Sequence, residues 1–197
     1  MPLNIPNLLT WLRILLIPLF LVLFYVPDHW LGPAQKNLSA SLMFALAAIT
    51  DWLDGYLARA LNQTSMFGAF LDPVADKLMV AAALIVLVGE ARVLPFIAVI
   101  IIGREIAISA LREWMAKIGQ SRSVAVSFLG KLKTTCQMAA ILLLLYHDRV
   151  MGFSAQAVGS VLIYVAALLT LWSMGYYMRR ALPGILGHRE PARPGPP

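Results

Sequence analysis

With 197 residues, 60% of them hydrophobic, 13% charged and a mean hydropathy of +0.76, the chain is far more apolar than a water-soluble domain of this length. Runs such as 78–88, 95–103 and 158–174 offer no polar face, so they read as bilayer-embedded helices. The net charge of +6 is scattered at the ends of apolar segments, a topology signal that argues against nucleic acid as a partner, and the single Cys136 excludes an internal disulfide and a cysteine metal site.

The first ten residues lack the basic n-region and cleavage site of a secretory signal, so the apolar stretch after them is expected to remain as a span. Apolar windows predict an all-α, polytopic membrane protein with about six transmembrane helices, near 8–26, 38–61, 67–89, 93–117, 128–146 and 153–178. The odd-numbered connections carry the breakers Pro27, Asp28 and Pro33, then Glu90 and Arg92, then His147, Asp148 and Arg149. The even connections and the C-terminal end carry most of the Arg and Lys, which predicts that both termini are cytoplasmic. Trp11, Trp30, Trp114 and Trp172 fall near span ends, as an interfacial belt requires. One membrane domain over 1–182 is expected, with a Pro-rich, disordered tail over 183–197.

Chemistry concentrates in residues 51–76, DWLDGYLARALNQTSMFGAFLDPVAD. Asp51 and Asp54 stand three apart at the end of one apolar segment, and Asp72 and Asp76 stand four apart at the start of the next. Each spacing puts both acids on one helix face. Antiparallel packing of the two helices then brings four carboxylates together at membrane depth, where each costs several kcal/mol unless positive charge is near. An all-oxygen donor set without clustered His or Cys points to Mg²⁺ or Mn²⁺, one or two ions. Arg59 cannot neutralise four acids alone, but its guanidinium suits a phosphate carried in by a substrate. Gly55 and Gly68 allow close approach of a ligand, or of a neighbouring helix.

Written as a pattern, the region is D-x2-D-G-x2-A-R-x8-G-x3-D-x3-D, filled by Asp51, Asp54, Gly55, Ala58, Arg59, Gly68, Asp72 and Asp76. It resembles the signature of the CDP-alcohol phosphatidyltransferases. At roughly one in fifteen to twenty per position, eight chance matches are on the order of one in ten billion, so composition does not explain it. Residues 4–13 (NIPNLLTWLR), 103–113 (GREIAISALRE) and 130–137 (GKLKTTCQ) extend the resemblance over most of the chain. They point to the members that transfer a phosphatidyl group from CDP-diacylglycerol to glycerol 3-phosphate and release CMP.

The resemblance implies a multi-pass homodimer in the bacterial cytoplasmic (inner) membrane, with its active site facing the cytoplasm. It implies that Asp51, Asp54, Asp72 and Asp76 ligate metal and that Asp76 is also the base. Gly55, Ala58, Arg59 and Gly68 would border the CDP group, with Ser65, Asn7 and Thr10 as further contacts to the activated lipid. The second substrate is a small dianion, for which Arg104, Arg112, Lys131 and Lys133 are the candidate cations; Arg104, inside an apolar run, is the most expensive to bury without a function. Lys131 and Lys133 also fit a purely topological role, Arg13 raises the same question, and Glu105 and Glu113 are candidates to orient the cations. Direct displacement is expected, because metal-bound carboxylates are poor nucleophiles and one base suffices. A sister enzyme with inositol phosphate, serine or phosphatidylglycerol as acceptor shares the signature. A divalent-cation transporter would instead need acids across the bilayer, and a prenyltransferase a different Asp pattern.

Overall fold

Residues 5–60, 66–117, 128–150 and 152–187 are described by a computed structural model. Among them are six helices: α1 (Ile5–Leu23), α2 (Pro33–Ala60), α3 (Met66–Gly89), α4 (Pro95–Lys117), α5 (Phe128–Tyr146) and α6 (Ala155–Gly187). The all-α expectation holds, with one addition. Between α5 and α6, β1 (Arg149–Val150) and β2 (Phe153–Ser154) form a short antiparallel hairpin with Arg149 opposite Ser154.

Local chemistry sets the helix ends. Pro33 starts α2, five residues before the apolar window, because its fixed φ suits the first helical position. The side chain of Gln35 reaches back to accept from the Gly32 N–H at 3.1 Å, half of a capping box. α6 begins with Ser154 Oγ accepting from Ala157 N at 3.2 Å, and continues to Gly187, nine residues past the apolar window. At 33 residues it is about 50 Å long, more than a hydrocarbon core of about 30 Å requires. Residues 188–197 of the expected tail lie outside the described residues.

α3 closes with a Schellman motif: Ala91 N donates to Val88 O at 3.0 Å and Arg92 N to Leu87 O at 2.8 Å, with Ala91 left-handed at φ 55°. α5 ends likewise on a left-handed residue, His147, at φ 64°, whose N–H meets Leu143 O at 3.0 Å. Arg92 ties this end of the bundle together. Its Nη1 donates to the last-turn carbonyls of Leu144 and Leu145, both at 3.1 Å, and its Nη2 to Asn37 Oδ1 at 2.7 Å.

All six helices feed one core, including Phe20, Phe44, Leu84, Ile101, Ile141 and Ile163. The outward faces are apolar too, with Leu15, Ile49, Ile85, Val99, Val161 and Leu168 all exposed. The α5–α6 contact is tight: a Cβ at Gly159 would sit 2.9 Å from Leu144 Cγ and 3.2 Å from Ala140 O. The Arg92 network occupies one end of the bundle. The opposite end gathers the start of α1, the end of α2, the start of α3, the end of α4 and the start of α5, which carry the candidate site residues.

Candidate active site

α1 supplies two polar side chains from an otherwise apolar sequence. Thr10 and Arg13, three apart and so on one face, are each only 1% exposed. Thr10 Oγ1 donates to Asp72 Oδ1 at 2.5 Å, and Arg13 Nη1 meets Asp51 Oδ1 at 2.6 Å. Asp51 comes from the last third of α2, while Asp72 and Asp76 stand one turn apart near the start of α3, on either side of Pro73. Asp51 and Asp76 line one cavity, and Asp72 is reached through Thr10 on the same face of α1 that holds Asp51 through Arg13. The backbone of Asp54 continues α2 one turn beyond Asp51, but its side chain lies outside the described residues. Among the described residues no three acidic, His or Cys side chains form a metal-holding group, a count that leaves out the Asp54 carboxylate.

Two cavities meet at Asp76. One, of about 540 Å³, opens between α2, α3 and α5, with Asp51 and Asp76 at one end and Phe44, Ala48, Met138 and Leu142 along its walls. α2 and α5 run antiparallel here, so the step from Asp51 to Phe44 and from Thr134 to Leu142 leads about two turns into apolar surroundings. The other, of about 200 Å³, lies between α3, α4 and α5 and is the more polar of the two, lined by Asp76, Lys77, Arg104, Glu105, Arg112 and Gln137 among others. Asp76 thus belongs to both, with the charges of Asp51, Arg13, Glu105 and Lys77 around it.

The cations divide into two kinds. Arg104 is 7% exposed, its Nη1 donates to Glu105 Oε1 at 3.2 Å, and its buried Nε has no partner. Arg112 is exposed and lines the polar cavity. Lys133 is fully buried and its Nζ donates to the same Glu105 oxygen at 2.7 Å. Lys133, a candidate cation for the acceptor phosphate that also fitted a topological role, is half of a buried ion pair that joins α5 to α4, and it does not line the polar cavity. The side chain of Lys131 lies outside the described residues.

The same limit applies to several expected contacts to the activated lipid. Ser65 lies outside the described residues, as do the side chains of Asn7, Ala58 and Arg59; Gly55 is described only as part of the α2 backbone. Gly68 is buried in the first turn of α3. Two residues the sequence reasoning left without a role stand in the site. Arg13 holds Asp51, and Gln137, 2% exposed, lines the polar cavity one turn after Lys133. The signal for both was present: a polar side chain inside an apolar helix is costly unless it is partnered or used.

The family profile of the CDP-alcohol phosphatidyltransferases matches residues 3–172. The chain is 48% identical over 190 residues to the CDP-diacylglycerol--glycerol-3-phosphate 3-phosphatidyltransferase of Escherichia coli (strain K12), covering 94% of this chain and 99% of that protein. Proteins of the same name from Shigella flexneri and Shigella boydii serotype 4 (strain Sb227) are similar to the same degree. With a profile match that takes in every acid of the site and relatives aligned almost end to end, the chain belongs to the CDP-alcohol phosphatidyltransferase family.

Proposed function

We propose that the chain is an integral membrane enzyme that transfers the phosphatidyl group of CDP-diacylglycerol to glycerol 3-phosphate, giving phosphatidylglycerophosphate and CMP. The observation that carries this reading is the position of Asp76, shared by an apolar-walled cavity and a cation-lined one. An enzyme that joins a lipid to a small anion needs its proton acceptor at that junction. The names of the 48% identical relatives support the same donor and acceptor.

The outward faces of the helices support a bilayer setting, since a soluble protein rarely exposes so much contiguous apolar surface. Ala155–Tyr176 is long and apolar enough to cross a membrane. On the proposed topology six helices span the bacterial cytoplasmic membrane, both termini and the aspartates face the cytoplasm, and the Arg92 end faces the other side. A homodimer is part of the proposal by family resemblance.

The carboxylates offer an all-oxygen donor set suited to Mg²⁺ or Mn²⁺, which Asp51, Asp54, Asp72 and Asp76 would hold. Such a cation would offset negative charge on the pyrophosphate and its CMP leaving group. Thr10 and Arg13 orient Asp72 and Asp51 through the contacts described above. Arg104 and Arg112 draw the acceptor phosphate into the polar cavity. Asp76 takes the proton from the acceptor 1-hydroxyl as that oxygen attacks the lipid-bearing phosphorus. The new P–O bond forms as the anhydride bond breaks, and CMP departs with the electron pair.

The test is CMP release by the purified protein with CDP-diacylglycerol and Mg²⁺, against glycerol 3-phosphate, inositol phosphate, serine and phosphatidylglycerol. Release with glycerol 3-phosphate alone is expected, and release with another acceptor in its place refutes the assignment. Asp76→Asn is expected to lose at least a hundredfold in kcat while still binding CDP-diacylglycerol; substantial turnover refutes its role as base.

A further inference from the structure

Two residues that line the polar cavity each carry a buried polar atom without a partner, one an acceptor and one a donor: Gln137 Oε1 and Arg104 Nε. Buried polar groups are satisfied almost everywhere in folded proteins, so an orphan pair beside one cavity describes what the cavity is built to receive. The donor suits a phosphoryl oxygen. The acceptor does not, because a phosphate dianion brings no proton to give. A substrate group that completes Gln137 must carry a proton to give, as a hydroxyl does.

We infer that Gln137 reads the 2-hydroxyl of the acceptor and is a specificity-determining residue for the transfer, an inference that rests on the proposed glycerol 3-phosphate acceptor. That molecule has three polar groups. Its phosphate belongs with Arg104 and Arg112, and its attacking 1-hydroxyl must reach Asp76. The 2-hydroxyl is the group that remains, and Gln137, from α5, is the neutral hydrogen-bonding side chain that remains with a free acceptor. An amide is the right chemistry there. It accepts the hydroxyl proton without adding negative charge beside Glu105 and the incoming dianion, and at 2% exposure it is held by its surroundings and not by solvent.

The consequence is discrimination, since a site that hydrogen-bonds a hydroxyl rejects the analogue that lacks it by leaving its own buried group unpaired. The experiment compares glycerol 3-phosphate with 3-hydroxypropyl phosphate, which keeps the phosphate and the attacking hydroxyl but has no 2-hydroxyl, using the full-length protein with CDP-diacylglycerol and Mg²⁺. Wild-type protein is expected to favour glycerol 3-phosphate by at least tenfold in kcat/KM. In Gln137→Leu that preference falls to within about twofold, through loss of activity toward glycerol 3-phosphate, with the KM for CDP-diacylglycerol unchanged. If Gln137→Leu does not fold, Gln137→Asn, which withdraws the amide by one methylene, is judged by the same ratio. A wild-type enzyme indifferent to the 2-hydroxyl, or a variant that loses the same factor with both acceptors, overturns this inference and leaves the transferase reading intact. Wild-type protein that turns over neither phosphate overturns the acceptor assignment itself.

Discussion

Arg13 and Asp51 form an ion pair of unequal burial: the guanidinium is 1% exposed and the carboxylate 43%, with 2.6 Å between Nη1 and Oδ1. The pair draws Asp51 toward α1, just as Thr10 draws Asp72, so one face of α1 orders acids from two other helices. If Asp51 holds the proposed divalent cation, that ion and Arg13 draw on the same carboxylate. Substituting Arg13→Met is therefore expected to strengthen apparent Mg²⁺ affinity by removing a competing charge, and to lower kcat at least tenfold by freeing Asp51 to turn. A Mg²⁺ titration of CMP release separates the two effects. An unchanged Mg²⁺ titration together with unchanged kcat would show that Arg13 only packs.

Glu105 accepts from both Arg104 and Lys133 through one oxygen. Removing it strands a fully buried ammonium, a situation that costs about 3 kcal/mol when the lost partner is itself partly exposed, as Glu105 is. Glu105→Leu is expected to lower the thermal midpoint clearly. The double variant Glu105→Leu/Lys133→Met is expected to recover much of that loss, because it removes the stranded charge along with its partner. Thermal unfolding in one detergent compares the single and the double variant; a double variant less stable than Glu105→Leu contradicts the assignment.

At Ala91 the helix end carries a residue poorly suited to its backbone. The left-handed φ of 55° crowds a Cβ that glycine lacks, yet the Schellman hydrogen bonds require that conformation. Ala91→Gly is expected to stabilise the fold by about 0.5–1 kcal/mol, net of the entropy glycine adds to the unfolded chain. The reading is an increase in thermal midpoint with activity unchanged.

That position also shows where sequence legibility ends. α3 stops at Gly89 as the sequence predicts, but the left-handed residue that closes it is Ala91 and not the glycine, with Arg92 N donating to the Leu87 carbonyl. The helices themselves were legible: long apolar runs leave few alternatives, and the ends of α3, α4 and α5 fall at the predicted residues. That Asp51 and Asp76, from successive helices, line one cavity was legible from helical spacing and a short connection. What spacing does not encode is which partner a buried polar group takes. Lys133 turns to Glu105 on another helix, and Arg13 to Asp51 across 38 residues, both choices of three-dimensional packing. Arg92, expected only as a loop charge, caps α5 because the last carbonyls of that helix need donors and its guanidinium fork reaches two at once.

His147 connects that capped end to solution pH. It lies in the connection after α5, its Nδ1 is buried without a partner, and burial followed by the nearby Arg92 charge holds its pKa below the usual imidazole value, against the opposing pull of Asp148 and Glu90. The neutral form is the one the fold prefers. In the unfolded chain the ring titrates near 6.5, so between the two pKa values the unfolded state binds more protons. The contribution to stability is complete above about pH 6.5 and is lost as pH falls through that value toward the lower folded one. His147→Asn keeps a residue that tolerates the left-handed φ of 64° while removing the titration. Thermal unfolding of the two proteins from pH 7.5 to 5.5 is expected to show a smaller loss of midpoint in the variant, and parallel curves would assign the acid sensitivity to other groups.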